Sequence, residues 1–124
     1  MAEHEAYEAA GELLRALAAP VRIAIVTELA GGQRCVHELV DALQVPQPLV
    51  SQHLRVLRGA GVVRGSRRGR EIVYSLVDEH VAHIVGDAIS HATEHRSPAA
   101  AGAGTAAAGT VAGTPRGTPA VSAT

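Results

Sequence analysis

Residues 47–76 read QPLVSQHLRVLRGAGVVRGSRRGREIVYSL, and this stretch decides the fold. Its apolar positions recur at helical spacing and predict a helix over 48–59, with a proline at its first position. Glycines end that helix, and residues 62–64 and 71–76 then alternate as two strands of a hairpin. The loop 65–70 between the strands is rich in arginine. A helix followed by a basic hairpin indicates a mainly α fold, the winged helix-turn-helix, with a two-stranded β-hairpin wing.

The rest of the chain supplies the other helices of such a domain. Leucine and valine at helical spacing predict helices over 6–18, 20–30, 35–43 and 79–95. The helices 35–43 and 48–59 are joined by a tight turn and form the helix-turn-helix. The second of them is expected to bury the apolar stripe Leu49, Val50, Leu54 and Leu57.

Length and composition predict one folded domain. The 124 residues divide into a flexible N-terminus at 1–5, a domain at 6–95 and a tail at 96–124. The tail is almost entirely Ala, Gly, Thr, Pro and Ser, which predicts disorder. The domain has no Phe and no Trp, and so small a core is marginal alone, which favours a dimer.

Charge and cysteine usage narrow the class of protein. The net charge is only −1, but six arginines and no acid lie between residues 55 and 70. Such a basic patch beside a helix-turn-helix favours double-stranded DNA as the partner. A single cysteine excludes an intrachain disulfide. The acidic first residues and the absence of a long apolar run predict a cytoplasmic protein without a membrane anchor.

Several segments together resemble the ArsR/SmtB family of metal-sensing transcriptional repressors. They are LAAPVR at 17–22, CVHEL at 35–39, residues 47–57, residues 67–74 and the histidine-rich last helix. The resemblance covers about residues 6–95. It implies a homodimer, held by its N- and C-terminal helices, that binds an operator inverted repeat without metal and leaves it when metal binds.

The expected DNA contacts lie on the recognition helix and the wing. The first half of a recognition helix reaches base edges, where glutamine can bind adenine. Arginines further along and on the wing suit phosphates. His53 either contacts DNA or helps to pack the helix. The full set is Gln47, Ser51, Gln52, His53, Arg55, Arg58, Arg64, Arg67, Arg68 and Arg70.

The resemblance implies a metal site made of Asp78, His80, His91 and Glu94. On one helix His80 and His91 would lie about 16 Å apart along the axis, too far for one ion. Two antiparallel copies of the helix would join one pair to the other pair across the dimer axis. Two imidazoles and two carboxylates suit tetrahedral Zn(II) as the effector. Co(II) or Ni(II) remains open, with His83 and His95 as extra ligands.

A second metal site is doubtful at Cys35, His37 and Glu38. The family uses the matching segment together with its N-terminus, but this chain has no N-terminal cysteine. Cys35 at a helix N-terminus is expected to have a lowered pKa. The plainer interpretation, a small partly buried cysteine beside a surface histidine, stays open.

Three rival functions are distinguishable from a metal sensor. A zinc hydrolase is excluded because Ala92 follows His91, where the His-Glu-x-x-His motif needs the general base. A redox switch built on Cys35 would respond to oxidants and ignore chelators. A constitutive DNA-binding protein would have no effector.

Overall fold

A computed structural model describes residues 2–96 of the chain. In chain order these form α1 (Glu3–Leu17), α2 (Pro20–Ala30), β1 (Arg34–Cys35), α3 (Val36–Leu43), α4 (Gln47–Gly59), β2 (Val63–Arg68), β3 (Glu71–Leu76) and α5 (His80–Glu94). One compact unit ends at Ala88 and a second begins at Ile89. The predicted tail lies outside the described residues, apart from Arg96. None of the helices within 2–96 is long and apolar enough to cross a membrane.

The first helix begins earlier than the sequence predicted. α1 starts at Glu3, so residues 3–5 are helical, in contrast to the predicted flexible N-terminus at 1–5. The backbone N–H of Ala2 donates to Glu5 Oε1 at 3.1 Å, which satisfies a group that the helix start leaves unpaired. Glu3 and Glu5 also place negative charge at the positive end of the helix dipole.

The helix-turn-helix of α3 and α4 is confirmed, and its turn depends on Gln44. This residue has φ 56°, in the left-handed region, which is unusual for a residue other than glycine. Its backbone N–H donates to Val40 O and its side-chain Nε2 donates to Asp41 O, both at 2.8 Å. These bonds satisfy carbonyls at the end of α3. Pro46 and Pro48, which lack an N–H, occupy the start of α4, where no helical partner exists.

The core is built around the inner face of α4. Val50, Leu54 and Leu57 are at most 1% exposed. They lie in one apolar cluster with residues from α1, α2, α3, the sheet and the start of α5, among them Leu17, Ile25, Val26, Leu29, Leu39, Val62, Val63, Tyr74, Val81 and Val85. Leu49 was predicted to share this stripe, but it is 46% exposed. That prediction was wrong because residue 49 lies about 100° around the helix from residue 50.

The sheet has three strands, and the predicted two-stranded wing is longer than expected. β1 pairs antiparallel with β3, which also pairs with β2, giving the order β1-β3-β2. β1 was missed because two residues cannot display an alternating pattern. The hairpin turns at Gly69 and Arg70, with Gly69 at φ 63°. Residues 65–68, predicted as loop, belong to β2, which is exposed beyond Val63 and shows no hydrophobic alternation.

We expect Leu54→Ala to lower the free energy of unfolding by about 2–5 kcal/mol, because it opens a cavity in the core. Leu49→Ala, on the same helix but exposed, is expected to cost about 0.5 kcal/mol or less. Urea unfolding of both variants at one fixed protein concentration would measure the difference. Equal losses would contradict the assignment of the inner face of α4.

Candidate DNA-binding surface and metal ligands

The outward face of α4 carries the polar residues that the sequence assigned to DNA. Gln47, Gln52, Arg55 and Arg58 are all exposed, while Ser51 is half-buried. Helical spacing places Gln52 and Arg55 nearly opposite the buried stripe, with Ser51 closer to its edge. The burial of the other face therefore determines which side chains face solvent. Gln52 and Arg55 are the most available of them to a ligand in front of the helix.

His53 is drawn towards the body of the domain. It is half-buried, and its Nδ1 lies 3.3 Å from Nη1 of Arg22 on α2. This contact realises the packing alternative that the sequence left open for His53. Arg22 was not among the predicted functional residues, because nothing in its local sequence indicates a partner 31 positions away.

The arginines of the wing do not share one face. Arg64, Arg67 and Arg68 lie on β2, and Arg70 lies in the turn, and all four are exposed. Because strand residues alternate, Arg64 and Arg68 point to one side of the sheet and Arg67 to the other. Arg68 is opposite Glu71 in the hairpin register. The wing thus presents cations on both surfaces and at its tip.

The predicted metal ligands of α5 are exposed and stand in two groups. Asp78 and His80 are together at the start of the helix: Asp78 Oδ1 accepts the backbone N–H of His80 at 2.9 Å and lies 3.4 Å from its Nδ1. His91 and Glu94 lie at the other end of the helix. The rings of His91 and His95 are 4.4 Å apart. Between these groups His83 is exposed.

The predicted second site has a different composition from the one expected. Cys35 Sγ lies 3.1 Å from His37 Nδ1, which is 3.5 Å from Glu71 Oε2 on β3. Their ligand atoms all lie within 4.8 Å of one another, the one such group of three found within residues 2–96. Glu38 instead accepts the backbone N–H of Cys35 at 2.9 Å, as part of a capping box on α3. The structure therefore groups Glu71, and not the predicted Glu38, with Cys35 and His37.

Strand pairing explains why Glu71 was missed. Cys35 is opposite Val73 in the antiparallel register of β1 and β3. His37 lies two residues after Cys35, and Glu71 lies two residues before Val73. The antiparallel pairing therefore brings His37 close to Glu71. The sequence carries this information only if β1 is known to exist and to pair with β3. The acidic residue is 36 positions away from the cysteine and belongs to the wing.

The pKa of Cys35 moves opposite to the prediction. Burial of the thiol raises its pKa above the ordinary value, and the nearby Glu38 and Glu71 charges also raise it, while the hydrogen bond that the Glu38 backbone N–H donates to the thiol lowers it. The predicted effect of the helix N-terminus is outweighed. A thiol that stays protonated is a weak nucleophile, which argues against the redox-switch alternative. The reciprocal bond, from the Cys35 backbone N–H to the Glu38 carboxylate, followed by the side-chain bond to Cys35, lowers the pKa of Glu38.

The amino-acid sequence is similar to those of known bacterial regulators. A family model described as "Bacterial regulatory protein, arsR family" matches residues 19–64. The HTH-type transcriptional repressor SmtB of Mycobacterium tuberculosis (strain H37Rv) is 72% identical over 88 residues, which cover 71% of this chain and 65% of SmtB. The HTH-type transcriptional regulator NmtR of the same strain is 49% identical over 79 residues, which cover 64% of this chain and 66% of NmtR. The chain thus matches less than two thirds of the length of these relatives.

Solved structures show the same architecture. The solution structure of apo-NmtR superposes with a TM-score of 0.64 at 42% identity, over 78% of this chain and 82% of that one. A homodimeric winged helix-turn-helix DNA-binding domain, Mb0332 from Mycobacterium bovis, gives 0.67 at 27% identity, over 77% and 90%. The predicted fold is confirmed by these neighbours. SmtB and NmtR are transcription regulators and Mb0332 is described as a possible one, which agrees with the prediction that the chain is not an enzyme.

Proposed function

Because this chain belongs to the arsR family of bacterial regulatory proteins, we propose that it is a metal-responsive transcriptional repressor. A homodimer binds an operator inverted repeat through α4 and the wing, and Zn(II) bound by α5 causes release. The observation that carries the proposal is the pairing of Asp78 and His80, whose exposed side chains hold an oxygen and a nitrogen donor 3.4 Å apart at the start of α5. As an intracellular regulator of transcription it would act in the cytoplasm.

The proposed dimer uses the outer faces of α1 and α5. Tyr7 and Leu14, seven residues apart on α1, are 66% and 54% exposed, and Ile89 on α5 is also exposed. Large apolar side chains that remain in water on one face of a helix favour a partner. A core without Phe or Trp gains further stability from such an interface.

The donor chemistry of the α5 residues fits a zinc ion. Two imidazoles and two carboxylates are ligands that Zn(II) accepts in tetrahedral sites. The proposed site joins Asp78 and His80 of one protomer to His91 and Glu94 of the other. Each ligand is exposed, so an ion can reach it from solvent. Co(II) or Ni(II) would favour a higher coordination number and would recruit His83 or His95.

The thermodynamics of release constrain the mechanism. If zinc lowers the affinity of the dimer for DNA, DNA must lower its affinity for zinc by the same factor. Metal that crosslinks the two copies of α5 would favour a spacing of the two α4 helices that fits the operator poorly. Histidine ligands must be neutral, so protons compete with zinc at acidic pH.

We expect His80→Ala to bind operator DNA normally without metal and to lose zinc-induced release. Release in the wild type should lower affinity about 5- to 150-fold, the usual range of allosteric coupling. Fluorescence anisotropy on an inverted repeat from the promoter, with and without one zinc per protomer, measures both quantities. Glu79→Gln, which removes a neighbouring carboxylate outside the ligand set, is the control. Full zinc response in His80→Ala would show that the site is misplaced.

We expect the wing arginines to contribute charge and Gln52 to contribute specificity. Arg68→Ala should reduce the slope of log K against log salt by about 0.9 for each phosphate that the variant no longer neutralises. Gln52→Ala should lower the preference for operator over an altered operator by about 1–3 kcal/mol. Arg15→Ala, on α1, is the control. An unchanged salt slope in Arg68→Ala would contradict binding of the wing to DNA at this arginine.

A second candidate function is metal binding at Cys35, His37 and Glu71. The separations of 3.1 Å and 3.5 Å among their ligand atoms are close to the roughly 3–4 Å between ligands in a tetrahedral zinc site. One thiolate, one imidazole and one carboxylate suit zinc or cobalt and leave a position open. An ion there would tie the start of α3 to the wing strand β3. Binding must release the proton of the thiol, whose pKa is raised by burial.

We expect Co(II) to give a thiolate charge-transfer absorption band that disappears in Cys35→Ala and weakens in Glu71→Gln. Glu38→Gln is the matched control, because its carboxylate caps α3 and lies outside the group of Cys35, His37 and Glu71. The band should fade as the pH falls, since protons compete for the thiolate. His80→Ala should keep the band, which separates this site from that of α5. A band that is insensitive to Cys35 or to Glu71 would exclude the site.

A further inference from the structure

Arg22 connects three helices through one side chain. It lies on α2 and is half-buried. Its Nε donates to Ala16 O, at the end of α1, at 2.6 Å. Its Nη1 lies 3.3 Å from Nδ1 of His53, on α4. One nitrogen of the guanidinium therefore contacts α1, which carries exposed apolar side chains, and another contacts α4, whose outer face is polar.

At its first contact Arg22 completes the end of α1. The last four carbonyls of a helix have no intrahelical partner. Near this end the backbone N–H of Ala18 donates to Arg15 O, and that of Ala19 donates to Leu17 O. Ala16 O receives its hydrogen bond from Arg22 instead. A cation is also favoured here, because the C-terminal end of a helix dipole is negative.

At its second contact Arg22 determines the tautomer of His53. Arginine has only N–H donors and cannot accept a hydrogen bond. The contact therefore requires a lone pair on Nδ1, so the proton of the neutral ring must be on Nε2. None of the ion pairs among residues 2–96 includes Arg22, and the hydrogen bonds of its guanidinium go to the carbonyl of Ala16 and the imidazole of His53.

We propose that Arg22 is a positioning residue for DNA binding: it caps α1 and holds His53, and thereby sets the position of α4 relative to α1. The inference rests on the proposed role of α4 as the helix that reads DNA. His53 directly follows Gln52 in α4. A shift of α4 that accompanies a movement of the His53 ring therefore also displaces Gln52, the side chain that points most directly away from the core. In this role His53 acts through Arg22, and its contribution to affinity does not require contact with DNA.

Two substitutions of His53 separate this role from direct contact with DNA. Asparagine places its carbonyl oxygen near the position of Nδ1, and glutamine places its amide near that of Nε2. We expect His53→Asn to keep operator affinity within about twofold and His53→Gln to weaken it about tenfold, the equivalent of one charge-assisted hydrogen bond. The reverse order, with Gln tolerated and Asn damaging, would overturn the proposal in favour of a DNA contact through Nε2.

The Arg22 side of the link is tested by Arg22→Met, which keeps the aliphatic stem and removes both hydrogen bonds. We expect about tenfold weaker operator binding, and a combined Arg22→Met/His53→Gln variant no weaker than Arg22→Met alone, because Arg22→Met already removes the contact with His53. Ring nitrogen NMR should show His53 leaving the single Nε2–H tautomer when Arg22 is replaced. Additive losses, or an unchanged tautomer, would overturn the link.

Folding and the role of α4 are controlled separately. Circular dichroism and thermal unfolding are measured for each variant, and if Arg22→Met does not fold, the His53 pair alone decides the question. Gln52→Ala tests the premise. If Gln52→Ala binds the operator as wild type does, the proposed reading role of α4 fails. If Gln52→Ala weakens binding but the His53 and Arg22 variants do not, α4 keeps its role and the positioning inference fails.

Discussion

The burial of one apolar stripe on α4 is the constraint on which the rest of the domain depends. Val50, Leu54 and Leu57 have almost no exposure and lie in the cluster that includes residues of α2, α3 and the base of the wing. Moving apolar surface out of water is the main favourable term in folding, so the orientation of α4 about its axis follows from this stripe. The opposite face then presents Gln52 and Arg55 to solvent. The packing of one face of α4 in the core thus decides which polar side chains its other face presents to solvent.

Helix ends set the second constraint, because their unpaired backbone groups need partners. Glu38 provides a partner for the backbone N–H of Cys35, Gln44 for carbonyls of α3, and Arg22 for a carbonyl of α1. Some polar residues that a sequence motif assigns to a functional site are therefore used to cap helix ends. Glu38 illustrates the consequence: its carboxylate is already engaged in capping α3, and the acid that forms a group of possible ligands with Cys35 and His37 is Glu71, from another element.

The proposed metal sensor and the proposed link through Arg22 both involve α1 and α4. α1 contributes exposed apolar side chains to the proposed dimer, and its end is capped by the residue that reaches α4. A change of spacing between protomers would therefore bear on the recognition helix through a polar contact as well as through the core. Such a contact has a defined geometry, whereas apolar packing tolerates small displacements at little cost. This difference makes a hydrogen-bonded link suited to setting the position of one helix against another.

The sequence alone determined the helices, the turn between α3 and α4, the basic character of the wing and the donor types along α5. These features follow from local periodicity, proline and glycine positions, and composition, all of which are present in a short window. The family resemblance could be recognised for the same reason, because each of its motifs is a short contiguous segment.

Only the tertiary structure decided which distant residues meet. The pairing of β1 with β3 brings Glu71 to Cys35 and His37, and the crossing of α2 with α4 brings Arg22 to His53. The raised pKa of Cys35 likewise reflects burial by the fold, which outweighs the local effect of a helix start. Local propensities carry no information about partners more than 30 positions away, because those contacts arise from burial of apolar surface and from strand register.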